Sequence, residues 1–149
     1  MLIRSLAHGL NPPAIDAVGL NQAFADYCQR VTRQSGIKVH YSGKDIPHLP
    51  DFIKISLYRV LQEALNNVFK HAQASNIEVS LGSEKGMVNL YVHDDGRGFP
   101  QAPDVAISHG FGLKGIYNRI EALGGNMKII SNQTKGTTLL AKIPWKGKV

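Results

Sequence analysis

The sequence predicts an α+β fold: a two-layer α/β sandwich whose mixed, mostly antiparallel sheet of about five strands is covered on one face by about three helices. Three observations predict it. Alternating apolar runs fall in hairpin pairs near residues 76–94 and 126–143. Helical patterns sit between strand groups without strict strand–helix alternation, which counts against a Rossmann arrangement. One long helical pattern, 51–73, carries a continuous apolar stripe.

In chain order, residues 2–9 read as the last turns of a helix, stopped by Asn11-Pro12-Pro13. Residues 18–35 form an amphipathic helix with Leu20, Phe24, Tyr27 and Val31 on one face and Gly36 as its stop. Ile37, Val39 and Tyr41 alternate as a short strand, and Asp45 to Pro50 form a loop before the 51–73 helix. Strands follow at 76–82 and 87–94, with Ser83 to Gly86 as the turn. Residues 95–110 are rich in Gly and Pro and read as a loop. Residues 113–123 form a helix stopped by Gly124-Gly125. Strands at 126–132 and 137–143, joined by a turn at Thr134 to Gly136, complete the sheet.

With 149 residues and 43% apolar content, the chain suits one sizeable core. No apolar run approaches the roughly 20 residues of a membrane span. The start is too polar for a secretory signal. Cys28 is the only cysteine, so an intrachain disulfide and a thiolate metal cluster are excluded, and a reducing cytoplasmic compartment is expected. The formal charge is +6, but the basic residues are dispersed and lack interleaved aromatics. A solvated basic surface accounts for that. An anionic ligand such as a nucleoside triphosphate suits the sign, and nucleic acid is not expected.

Four segments carry chemistry. On the 51–73 helix, Ile53, Leu57, Val60, Leu61, Ala64, Leu65, Val68 and Ala72 form the apolar stripe. The opposite side carries Arg59, Glu63, Asn67, Lys70 and His71. Glu63 and Asn67 lie one turn apart. This set reads either as an ordinary solvated face or as a cradle for Mg²⁺-bound phosphates, since Mg²⁺ takes oxygen ligands and keeps several waters. In the next segment, Asp94 falls in phase with Val88, Leu90 and Val92. It is either a polar strand end or a carboxylate entering an apolar layer, where a ligand amine such as that of adenine would partner it. Asp95-Gly96-Arg97-Gly98 then supplies glycines for a sharp turn.

Gly110-Phe111-Gly112-Leu113-Lys114-Gly115 precedes a helix and lets backbone N–H groups approach phosphates. It fits the dinucleotide fingerprint GxGxxG, but the required strand before it and acid after it are missing. The P-loop pattern is also absent. Gly136-Thr137 opens the last strand, where the hydroxyl either contacts phosphate or is an ordinary strand residue.

In this order the segments resemble the GHKL ATPase superfamily, which includes sensor histidine kinases, the gyrase and Hsp90 ATPases, MutL and anti-sigma-factor kinases. Glu63 to His71 (EALNNVFKH) resembles the asparagine box, and Asp94 to Gly98 (DDGRG) the first glycine box. Gly110 to Ile116 (GFGLKGI) resembles the second, and Gly136-Thr137 the final GT element. The likeness covers roughly residues 50–145 and implies the Bergerat ATP-binding fold. Glu63 to Ala72 and Gly110 to Gly125 are most similar to the short-lid nitrate-sensor and DesK-like histidine kinases. Leu10 to Leu20 resembles their junction with the dimerisation helices. Residues 1–17 are therefore expected to be the end of the second dimerisation helix and a linker, and 18–149 the ATP-binding catalytic domain.

The resemblance implies ATP and Mg²⁺ as cofactors, with roles by position. Asn67 would bind Mg²⁺ and Asp94 the adenine amine. Gly96 and Gly98 would shape the base pocket. Gly110, Gly112 and Gly115 would shape the lid, with Leu113 and Lys114 beside them. Lys70, His71 and Thr137 would approach phosphates. Glu63 aligns with the glutamate that activates water in the hydrolases and is the catalytic candidate. In a kinase it would organise Mg²⁺ or a water.

The group normally carries its phosphoacceptor histidine, followed by an acid, on the first dimerisation helix. His8 is followed by Gly9, and His93 sits on a strand facing away from Asp94. His71 belongs to the asparagine box, while His40, His48 and His109 read as strand or loop residues. The acceptor is thus expected outside this chain. The implied partners are a dimerisation and phosphoacceptor domain of the same protein, homodimeric at full length, and a response-regulator receiver domain. The full-length protein is compatible with a membrane anchor. The alternative readings are a degenerate ATP-binding regulatory module and an anti-sigma-like serine kinase.

Overall fold

Among the residues that the computed structural model describes (15, 18–71, 73–97, 113–132 and 134–145), five strands and three helices build the predicted two-layer α+β sandwich. The elements are α1 (Leu20–Ser35), β1 (Lys38–Gly43), α2 (Asp51–His71), β2 (Asn76–Glu84), β3 (Met87–Asp94), α3 (Leu113–Ala122), β4 (Asn126–Asn132) and β5 (Gly136–Pro144). The sheet order is β1-β2-β3-β5-β4. Only β1 and β2 run parallel; the other neighbours are antiparallel. The expected helix at 2–9, its Pro stop and the 98–110 part of the loop lie outside the described residues.

The alternation along each strand decides which side of the sheet is covered. Ile77, Val79 and Leu81 of β2, Val88, Leu90 and Val92 of β3, and Leu139, Ala141 and Ile143 of β5 are buried in one core. The helices lie over that face, α1 against β1, α2 against β3, and α3 against β4 and β5. α1 stops where expected: Gly36 donates its N–H to Thr32 O at 3.0 Å in a left-handed cap. Ile15 is also buried in the core, ahead of α1, and its carbonyl accepts the Gly19 N–H at 2.7 Å.

Three expectations need adjustment. The long helix, described over Asp51–His71, stops short of 73, because Gln73 takes a positive φ of 52° that no α-helix continues. The β2–β3 turn is Lys85-Gly86 alone, both with positive φ, so the strands run on to Glu84 and Met87. The buried arc of α2 is wider than the apolar stripe, since Tyr58 and Gln62 are also buried. α2 packs against helices on both flanks, α1 and α3, so its sides are covered as well as its sheet-facing stripe. Tyr58 meets the α1 residues Tyr27 and Phe24 with ring centroids 5.6 and 6.3 Å apart.

Candidate functional site

The alternation of β3 carries its last residue inward. Asp94 is 3% exposed, in phase with Val88, Leu90 and Val92, while His93 turns to the other face. There His93 Nδ1 lies 2.8 Å from Thr138 Oγ1. A carboxylate so placed needs donors. One is the Gly96 N–H, which reaches Asp94 Oδ1 at 2.9 Å, and the Thr137 backbone assists. Burial nevertheless pushes the Asp94 carboxyl above its ordinary range, against those hydrogen bonds and the nearby His93.

Asp94 opens into a narrow, partly open cleft between helices and sheet, with a cavity volume of only about 20 Å³. Asn67 and Thr137 supply its other polar groups. Ala64, Val68, Val92, Leu113, Ile116, Ile129 and Leu139 supply apolar walls. Few polar groups converging in an apolar slot is the usual composition of a small-molecule site. The cleft therefore joins four of the residues singled out from sequence: Asn67, Asp94, Leu113 and Thr137. Asn67 Oδ1 is buried and makes no hydrogen bond with the described residues. A buried amide oxygen with no partner suits an incoming cation or donor.

The remaining candidates lie around this cleft. Lys70 on α2 and Lys114 on α3 are exposed, and neither lines the cleft. His71 closes α2, with its side chain outside the described residues, as are Gly98, Gly110 and Gly112. Gly115 lies inside α3, and a Cβ there would stand 2.7 Å from Glu63 Oε2. Glu63 is partly exposed and turns toward α3, where its Oε1 accepts a hydrogen bond from Arg119 Nε at 2.7 Å in a solvent-accessible ion pair. Arg59 donates to Gln62 Oε1 at 3.1 Å.

Sequence reading missed three contributors. The apolar walls were legible in principle, since Val92 shares the phase of Asp94 and Ile116 lies one turn from Leu113. Arg119 had no local signal. Asp95 was legible only as part of a motif, yet it ties the first glycine box to the start of β2. Its Oδ1 accepts the N–H groups of Ser75 at 2.8 Å and Asn76 at 3.0 Å, and its Oδ2 accepts Asn76 Nδ2 at 2.9 Å. The Asn76 side chain above all holds the Asp95 carboxyl below its ordinary 3.8.

A depressed carboxyl stabilises the fold above its unfolded value, and that stability is lost as pH falls through the folded value. Asp95→Ala is expected to cost about 1 kcal/mol at pH 7, given the exposure of the site. The gap to wild type should narrow as the pH falls from 7 through the depressed Asp95 value, below 3.8. Urea melts across that range check this, and a pH-independent gap would reject the ionic contribution.

The family described as "Histidine kinase-, DNA gyrase B-, and HSP90-like ATPase" matches residues 53–147, a span that includes the whole cleft. The chain is 33% identical over 144 residues to the signal transduction histidine-protein kinase/phosphatase DegS of Brevibacillus brevis, covering 95% of this chain and 36% of that protein. It is 36% identical over 149 residues to the sensor histidine kinase MctS of Rhizobium johnstonii, covering 95% and 31%. The chain thus spans about a third of the length of these relatives. In fold it resembles the blue-light activated histidine kinase EL346 of Erythrobacter litoralis, with a TM-score of 0.75 and 21% identity over 89% of this chain and 44% of that one.

Proposed function

The chain belongs to the histidine kinase-, DNA gyrase B- and HSP90-like ATPase family, and from that premise we propose that it is the ATP-binding catalytic part of a sensor histidine kinase. In this reading it holds Mg·ATP and presents the γ-phosphate to a histidine on a dimerisation domain of the same protein. A response-regulator receiver domain would then accept the phosphoryl group. The observation that carries the reading is the buried Asp94 carboxylate at an apolar slot also lined by Asn67, whose Oδ1 is buried without a partner among the described residues.

Each residue has a physical task. Asp94 accepts a hydrogen bond from the exocyclic amine of adenine, and Gly96 N–H keeps its carboxylate oriented. Val68, Val92, Ile116, Ile129 and Leu139 sandwich the base and exclude water. Asn67 Oδ1 is an oxygen ligand of the kind Mg²⁺ accepts. Mg²⁺, when bound, neutralises charge on the phosphate chain. Thr137 lies at the polar end of the cleft, across the β3–β5 register from Asp94. Lys70, Lys114 and the His71 position would offer positive charge or donors toward phosphates, Gly96 and Gly98 would shape the base pocket, and Gly110, Gly112 and Gly115 the lid. Glu63, one turn before Asn67, is the candidate for orienting the attacking nucleophile or a metal-bound water. Phosphoryl transfer of this type depends mainly on positioning and electrostatic stabilisation.

Titration calorimetry tests the proposal. ATP with Mg²⁺ is expected to bind with a dissociation constant below about 1 mM. Asn67→Ala should abolish the gain in affinity that Mg²⁺ confers and leave binding in EDTA within about threefold. Addition of a separately produced dimerisation domain should yield acid-labile phosphohistidine. Absence of binding at millimolar ATP would reject the reading. Binding without any phosphohistidine would favour a regulatory ATP-binding module.

A further inference from the structure

Glu63 meets one face of α3 with both of its oxygens, one bonded and one beside a glycine. Oε1 is 2.7 Å from Arg119 Nε, and the pair is ionic. Oε2 faces Gly115, where a Cβ would stand 2.7 Å away. Residues 115 and 119 are one turn apart on α3, so they share a face. One face of α3 thus supplies a donor for the first oxygen and empty space for the second. An ion pair on two helices would need only the donor, whereas here the gap at residue 115 also admits the second oxygen. The same helix sends Leu113 and Ile116 into the cleft wall, so the seat of Glu63 and the wall of the nucleotide cleft belong to one rigid element. Neither Glu63 nor Arg119 lines the cleft itself.

We infer that Arg119 is a positioning residue for phosphoryl transfer, holding the Glu63 carboxylate in a single orientation beside the nucleotide, with Gly115 as the gap that admits it. This rests on the proposed kinase reading. Arg suits the task because its guanidinium is planar and always charged, so it orients a carboxylate where a lysine ammonium only attracts it. A defect in this pair acts on the chemical step and leaves adenine recognition by Asp94 untouched.

The test is transfer from radiolabelled Mg·ATP to the separately produced dimerisation domain, with kcat and KM for ATP measured for each variant. Arg119→Ala is expected to lower kcat by about 100-fold, the low end of what a positioned acid–base group contributes, with KM and the calorimetric affinity for ATP within about threefold. Arg119→Lys should recover only part of the loss. Glu63→Gln should lose as much as Arg119→Ala, and the double variant should lose no more than the worse single one.

Gly115→Ala gives an independent arm. Its new Cβ meets only the tip of the Glu63 side chain, so the carboxylate shifts while the helix gains a better helix-forming residue. The melting temperature should hold or rise while kcat falls about 10-fold or more. Wild-type kcat in Arg119→Ala, additive losses in the double variant, or a parallel loss of ATP affinity would each overturn the inference and leave the kinase reading standing. A wild-type chain that binds no ATP would remove both.

Discussion

Gly136→Ala is expected to destabilise the chain by about 3 kcal/mol or more and to lower its melting temperature by roughly 10 °C. Gly136 has a φ of +86°, where an L side chain is strained by itself. Its Cβ would also overlap the Asp94 carbonyl oxygen and stand 2.9 Å from the Asp94 carbonyl carbon and 3.1 Å from the Gly96 nitrogen. All three atoms are backbone, so no rotamer change relieves the contact. The strands β3 and β5 would have to part at the Asp94–Thr137 register, where the cleft is built.

The variant should therefore lose ATP affinity as well as stability. Gly82→Ala is the control, because a Cβ there meets nothing within 4 Å and its φ is not positive. That change is expected to stay within about 1 kcal/mol of wild type. Thermal melts of both variants by circular dichroism decide the matter. Equal melting temperatures would mean that the close approach at Gly136 is readily relieved.

Asp94→Asn is expected to separate binding from stability. A hydrogen bond to a charged acceptor contributes about 1.5–3 kcal/mol, so ATP affinity should fall by roughly 10–150-fold. The Gly96 N–H now donates to a carboxylate oxygen, and an asparagine can turn only one oxygen toward such donors. Stability should move the other way. Burial raises the Asp94 carboxyl above 3.8, so its favourable contribution is present below the unfolded value and is lost as pH rises through the folded one.

At neutral pH the wild type carries an ionised, desolvated group and the asparagine does not. The ligand-free variant should melt at the same temperature or higher. ATP affinity of the wild type should fall on acidification from a higher pH than an ordinary carboxyl would impose. ITP, which lacks the exocyclic amine, should bind wild type much more weakly than ATP, and the gap should narrow in Asp94→Asn. Calorimetry with the two nucleotides checks all of this, and equal ATP affinity in wild type and variant would remove Asp94 from the base site.

The fold was largely legible because its signals are local. Period-2 runs marked β2 to β5, Gly36 and Gly124-Gly125 marked helix stops, and the phase of β3 put Asp94 on the side of Val88, Leu90 and Val92. Boundaries failed where a non-glycine residue took a positive φ, as at Gln73 and Lys85, since neither side chain advertises that conformation. The width of the buried arc on α2 also failed. Helical periodicity reports the sheet-facing stripe, whereas Tyr58 and Gln62 are covered by neighbouring elements.

By itself, then, the sequence determined the α+β class, the order of the motifs and the phase that aligns Asp94 with Val88, Leu90 and Val92. Each depends on residues within a few positions of one another, where backbone geometry imposes the spacing. Only the tertiary structure decided what those motifs touch. It joined Asn67, Asp94, Leu113 and Thr137 around one cleft, set Gly136 against the backbone of Asp94, and placed Glu63 under Arg119 and Gly115. Glu63 and Arg119 stand 56 positions apart. No local rule relates residues at that separation. The packing of α2 against α3 over a shared core brings them together, and hydrophobic burial drives that packing without regard to distance along the chain.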